Sequence, residues 1–307
     1  MDHATDDRSA AQLAPAPVTA NTALVAGLAQ MLLAAHSDYL GAFHDCRRKA
    51  SVAHVHDLRI ATRRLRVAIS LCEAAGPEGI GRRARRLVHR PFTAAGRLRD
   101  VQIAVRMLRQ RADSDPATTA LCHALEGRCI RRRRRVRATL ERKRAAKLTA
   151  VVATLAARLQ QSTARPKRRA RVEAALTDAL RSMRHEFIGA PLSGTRAREL
   201  HQLRIALKRL RYAMESIAPY VGPPAGTAAA VLAAELGRWQ GELGSITDLD
   251  MLLARIRAWR SKHPRRGRPL VALEARLRRE RDAQDRHMRQ GLRRMRKSGR
   301  ILSIADA

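Results

Sequence analysis

Aromatic side chains are scarce in this 307-residue chain, which has three Phe, three Tyr and two Trp. Proteins that grip single-stranded nucleic acid use such rings as platforms on which bases stack, so the scarcity argues against that class. The four cysteines, Cys46, Cys72, Cys122 and Cys129, make no CxxC pair and no metal-like spacing; they read as small apolar residues of a reducing compartment. No run of eighteen apolar residues exists, so no membrane span and no membrane partner are expected. Nothing alternates with the period of two that marks strands. The opening MDHATDDRSA is acidic and polar where a secretory signal is basic and then apolar, which points to the cytoplasm.

Acidic residues are also in short supply, 27 against 62 basic ones, for a net charge of +35. Self-repulsion on that scale adds nothing to fold stability and makes sense where a polyanion neutralises it. Only seven of the basic residues are lysine. Arginine suits phosphate because its planar fork grips two oxygens at once. Many of these arginines are nonetheless expected to occupy ordinary solvated helix faces.

What the chain has in abundance is Ala, Leu, Arg and Glu, all strong helix formers, so the fold class is all-α. Residues 1–20 read as a disordered N-terminal tail and 301–307 as a C-terminal one. The first helix opens near Asn21 and Thr22, either of which suits a cap. Breaks are expected at Gly76-Pro77, Asp113 to Pro116, Gln160 to Pro166, Gly189 to Gly194, Pro219 to Gly226 and His263 to Pro269, leaving long helices that pack as bundles.

Two blocks recur. VHDLRIATRRLRVAI, from Val55, returns 145 residues later as LHQLRIALKRLRYAM, from Leu200. AGRLRDVQIAV, from Ala95, is echoed by LGSITDLDMLL, from Leu243, pairing Gly96 with Gly244 and Asp100 with Asp248. The same order at nearly equal offsets implies an internal duplication, with a first repeat over about 21–160 and a second over about 170–300. The polar stretch Gln160 to Arg169 separates them.

On a helix, Val55, Leu58, Thr62, Leu65, Ile69 and Cys72 share one side, the core face. His56, Arg59, Arg63 and Arg66 then stack along an adjacent stripe of roughly 15 Å. The second copy sets His201, Arg204, Lys208 and Arg211 beside a core face of Leu200, Leu203, Leu207, Leu210 and Met214. Like charges at this spacing repel by a few tenths of a kcal/mol per pair, a cost that an anionic ligand would remove. Glu215 is placed to pair with Arg211, while Arg64 and Arg209 point about 100° away and read as solvent-facing. Asp100 and Asp248 read as partners of nearby cations. His56 and His201 suit either a phosphate contact or a packed, hydrogen-bonded role. His54 and His56 lie on different sides of the helix and no carboxylate or cysteine completes a metal site, so no metal is expected. The runs Arg82 to Arg90 and Arg131 to Arg137 are dense enough to circle a helix, with an unspecified share lining a groove.

HDLRIATRRLR and HQLRIALKRLRYAME resemble the two signature helices of the conserved histidine α-helical domain (CHAD) family, and GRLRD and GSITD resemble its second motif in each half. The likeness spans roughly residues 21–300. It implies two tandem, pseudo-symmetric antiparallel helical bundles around a basic groove or channel. It also implies binding of inorganic polyphosphate, association with polyphosphate granules, and ligand-facing roles for His56, Arg59, Arg63, Arg66, His201, Arg204, Lys208 and Arg211. The ExExK motif of relatives with a fused triphosphatase is not found in this sequence. Ile246-Thr247 also stands where the first half has Leu98-Arg99, so the halves differ in charge. A non-catalytic polyphosphate binder without cofactors is therefore the expectation. Weak, non-specific binding of nucleic acid through its phosphates is the alternative. Phosphoryl-transfer chemistry lacks both grouped acids for Mg²⁺ and a glycine-rich phosphate loop.

Overall fold

The structure, a computed structural model, describes residues 20–75, 79–111, 115–192 and 197–297. Among them are nine α-helices and no strand: α1 (Ala20–Arg48), α2 (Val52–Ala75), α3 (Ile80–Arg111), α4 (Pro116–Thr139), α5 (Arg142–Thr163), α6 (Pro166–Gly189), α7 (Ala197–Ile217), α8 (Ala225–Lys262) and α9 (Leu270–Lys297). A 3₁₀ turn, Ala218–Tyr220, links α7 to α8. The two expected tails lie outside the described residues, apart from Ala20, which already belongs to α1; the side chains of Asn21 and Thr22 lie outside them too.

The expected breaks at Gln160 to Pro166, Pro219 to Gly226 and His263 to Pro269 coincide with helix junctions, whereas Gly76-Pro77, Asp113-Ser114 and residues 193–194 lie outside the described residues. Asp115 caps α4 by accepting from the backbone N–H of Ala117 at 2.9 Å and of Thr118 at 3.0 Å, with Pro116 preset for the first turn. Gly79 enters α3 with φ of 89°, a conformation side chains avoid. The polar stretch from Gln160 is shorter as a linker than expected, because α5 runs to Thr163 and α6 restarts at Pro166.

Two further breaks carry neither glycine nor proline. At Lys49–Ser51 the Ser51 hydroxyl accepts from the His54 N–H at 3.1 Å, and the His54 ring Nδ1 lies 2.6 Å from the Lys49 carbonyl. His54 thus serves the turn. At Leu140–Glu141 a buried leucine anchors the corner between α4 and α5.

Consecutive helices pack on one another in each half: α1 on α2, α2 on α3 and α3 on α4, then α6 on α7, α7 on α8 and α8 on α9. α5 packs on α1 and α3. The halves meet where α2 touches α6 and α7 and where α3 touches α8. The predicted core faces of α2 and α7 are buried at every position, Thr62 included, its hydroxyl donating to the Leu58 carbonyl at 2.6 Å. Burying each such aliphatic side chain contributes about 1.5–3 kcal/mol. That outweighs the few tenths per pair of charge repulsion along the flank, so apolar burial fixes the roll of both helices and the cations take the position left to them.

Much of the arginine is structural. Arg111 binds Glu280 at 2.7 Å, Arg281 binds Asp250 at 3.0 Å, and buried Glu274 accepts from Arg257 and Arg278, each at 2.8 Å. Arg296 of α9 donates to the carbonyls of Phe187 at 2.5 Å and Ala190 at 2.7 Å, closing the end of α6. The four cysteines are free and buried, with burial pushing the Cys46 thiol up to about 11 and Cys72 up to about 12.

Candidate functional site

Because α2 and α7 both turn their apolar faces inward, their basic flanks converge on one cavity of about 690 Å³. α2 supplies Arg59, Arg63 and Arg66, and α7 supplies His201, Arg204 and Lys208. From α3 come Arg85, Phe92, Gly96, Arg97 and Asp100. The sequence stripe thus places six of its eight members in the lining.

The other two lie outside it. His56 is exposed; partial burial of its ring, then the charge of Arg99, holds it below the usual 6.5, against the pull of Asp57. Arg211 lies 5.1 Å from the centroid of the Tyr212 ring and 3.5 Å from the Glu215 carboxylate, so the expected Arg211–Glu215 pair forms. His201 is exposed at the cavity lining, so neither signature histidine is packed in the core.

Arg64 and Arg209 stay partly open to solvent, as their spacing implies, and each also finds a carboxylate. Arg64 donates to Glu215 of α7, bridging the two halves. Arg209 donates to Glu186 at 2.7 Å and joins the cavity lining. A partner on a neighbouring helix, invisible to single-helix geometry, captures each of them.

The electrostatics of the lining are severe. Burial, then the charges of Arg63, Arg204 and Arg59, push the Lys208 ammonium down to about 6, with Asp248 opposing. Burial and Arg63 push Arg59 down to about 10, and Arg204 is lowered for the same reasons. No ion pair to a carboxylate is formed by Arg59, Arg63, Arg66, Arg204 or Lys208 among the described residues. Asp100 and Asp248 lie within electrostatic reach of cations from both halves: Asp100 of Arg59, Arg204, Arg132 and Arg255, and Asp248 of Arg204, Lys208, Arg99 and Arg106. Burial raises Asp248 above the usual carboxylate value, its neighbouring arginines notwithstanding.

Several participants were not singled out by spacing. Phe92 holds two cavity arginines over its ring, with the guanidinium carbons of Arg59 at 5.5 Å and Arg66 at 5.2 Å from its centroid. Its only sequence signal is being one of three Phe, four residues before Gly96. Arg85 is the member of the Arg82 to Arg90 run that lines the cavity, and it also pairs with Glu73. Within Arg131 to Arg137, Arg132 is the half-buried arginine that senses Asp100.

Comparison with known proteins fits this geometry. The CHAD domain family model matches residues 30–234. The crystal structure of the CHAD domain from the plant Ricinus communis is similar at 19% identity, covering 90% of this chain and 93% of that one, with a TM-score of 0.64. PptA from Streptomyces chartreusis is similar at 18% identity, covering 89% and 98%, with a TM-score of 0.59. At these identities the structures bear on the fold alone. A search of curated protein sequences gives no match.

Proposed function

The chain belongs to the CHAD domain family, and from its cavity we propose that it binds inorganic polyphosphate between α2 and α7 without breaking it down, acting in the cytoplasm at polyphosphate granules. The observation that carries this reading is the contrast among the arginines. Arg111, Arg257 and Arg281 find carboxylates on neighbouring helices, whereas Arg59, Arg63, Arg66, Arg204 and Lys208 are gathered into one cavity without acid partners among the described residues. A buried set of like charges is stable only where an opposite charge arrives to offset it. A chain of phosphates supplies closely spaced negative charge and needs no stacking surface.

The carboxylates present favour binding over chemistry. Asp100 and Asp248 sit among guanidinium groups, and Asp248 is pushed toward its neutral form, a poor setting for a divalent cation. Assays for phosphate release from polyphosphate with Mg²⁺ should therefore stay at background; measurable turnover overturns the non-catalytic part.

Calorimetric titration tests the binding. The five cations without acid partners, Arg59, Arg63, Arg66, Arg204 and Lys208, predict a salt slope of about −3.5 in log K against log salt, using ~0.7 per contact for a flexible strand. Long polyphosphate should bind at least about tenfold more tightly than pyrophosphate, because neighbouring phosphates engage both walls together. Equal affinities would sink the proposal. A protein of charge +35 will hold nucleic acid in low salt, so competition decides the alternative: duplex DNA that readily displaces polyphosphate at physiological salt would favour it.

A further inference from the structure

A second basic concavity lies where the last turns of α1 meet the first turns of α5 and the end of α4. Its volume is about 1030 Å³, against about 690 Å³ for the cavity between α2 and α7, and the two share no lining residue. Arg47 and Arg48 of α1, Arg137 of α4 and Arg142 of α5 form its rim, with His44 beside them. Arg48 pairs with Asp45 at 3.1 Å. The side chains of Arg47, Arg137 and Arg142 make no ion pair or hydrogen bond among the described residues. At the same end α5 begins without a capping side chain, since Glu141 makes no such bond, and the positive end of the helix dipole adds to the field.

The floor differs from that of the first cavity. It is mostly aliphatic, made by Leu40, Ala145 and Ala146 beside Thr149, whose hydroxyl donates to the Ala145 carbonyl at 3.1 Å. Inorganic polyphosphate has nothing to place there. An acyl chain would need a larger apolar approach, yet the exposed large apolar residues Leu33, Val52, Ile130, Ile205, Val231 and Val271 all lie outside the lining. A flat heterocycle fits, because the floor offers dispersion contact while the His44 ring and the arginine planes offer stacking. An apolar pocket with a few convergent polar groups is the usual form of a small-molecule site.

We infer that this groove is a nucleotide site: it takes a nucleoside di- or triphosphate, with the phosphates on Arg47, Arg137 and Arg142 and the base on Leu40, Ala145 and Ala146. The inference stands apart from the polyphosphate reading, since no residue is common to both sites.

ATP and inorganic triphosphate serve as probes in calorimetric titration of the full chain, with photo-crosslinking by an azido-adenine analogue to locate the label. Arg47→Ala with Arg142→Ala should weaken ATP at least about tenfold, while Arg63→Ala with Arg204→Ala leaves ATP at this groove unchanged. Ala146→Trp, which keeps every charge but fills the floor, should weaken ATP and spare inorganic triphosphate. All three groove positions are exposed, so the fold is not at stake. Crosslinks should fall in α1 and α5. Loss of ATP binding in the Arg63/Arg204 variant, crosslinks confined to α2 and α7, equal effects of Ala146→Trp on both probes, or absence of ATP binding each overturns the inference.

Discussion

The two walls of the central cavity carry the same sequence pattern and differ in what surrounds it. On the α2 wall, Arg59 and Arg66 are held over Phe92, and the three arginines remain free of carboxylates. On the α7 wall, the last arginine has been taken by Glu215 and Tyr212, and a lysine stands third in the stripe where α2 has an arginine. The α2 wall is thus a fixed charge held in place by a ring. On the α7 wall, burial and then the charges of Arg63, Arg204 and Arg59 push Lys208 down to about 6. One sequence pattern thus accompanies a fixed charge on the first wall and a depressed lysine on the second.

The largest effect expected from this contrast is at Arg63, which adds to the positive field felt by Arg59, Arg204 and Lys208. A charge-assisted hydrogen bond is worth about 1.5–3 kcal/mol, so Arg63→Ala should weaken polyphosphate by about ten- to a hundredfold in a titration at fixed salt. The helical circular dichroism should not change. An affinity within twofold of the parent would mean the ligand lies elsewhere.

Lys208 comes next. An anion favours the ammonium form, so binding takes up a proton that the free protein lacks above about pH 6. Affinity is then greatest at and below about pH 6 and falls as pH rises, by up to about tenfold per unit, until the bound lysine itself titrates. Lys208→Arg should flatten this profile. Lys208→Met should weaken binding at pH 6 and change little at pH 8. Folding linkage has the opposite sense: a lysine depressed in the folded state costs stability in full at and below about pH 6, and that cost shrinks as pH rises toward the ordinary lysine value, so Lys208→Met should raise the Tm of the free protein at pH 7, and more so at pH 6.

These asymmetries mark how far the sequence could be read. Described helix breaks were legible where Gly, Pro or Asp announced them, and the turns at Ser51 and Leu140 were not, because a histidine–carbonyl contact and a buried leucine do that work. The stripe was legible because helical spacing ties it to an apolar face that must be buried. Spacing within one helix says nothing of what stands opposite. That is why Glu186 and Glu215 on neighbouring elements altered the reading of Arg209 and Arg64, and why Phe92 and Arg85 of α3 went unnoticed.

A smaller effect separates the last arginines of the two stripes. Arg66→Ala removes a cavity side chain and should weaken polyphosphate by about tenfold, at the lower end for a charge-assisted bond. Arg211→Ala removes a half-exposed ion pair outside the lining, so affinity should shift by less than about threefold, with a stability cost within the ~0–1 kcal/mol of such pairs. Equal losses at the two positions would mean that Arg211 swings into the cavity when the ligand enters.

The finest test lies at the paired glycines. A Cβ on Gly96 would come within 2.4 Å of Arg59 Nη1, whereas one on Gly244 would meet nothing within 4 Å. The backbone of α3 therefore supports the Arg59 guanidinium, and α8 gives no such support at the matching place. Gly244→Ala should behave as an ordinary helix substitution, stabilising by about 0.5–1 kcal/mol with unchanged binding. Gly96→Ala gains the same helix propensity, and only the mobile end of one side chain has to yield, so stability should hold. The displaced guanidinium should nonetheless loosen from Phe92 and weaken polyphosphate by a few-fold. Thermal melts paired with titrations separate the two outcomes. Identical behaviour at both glycines would show that the seat under Arg59 is incidental.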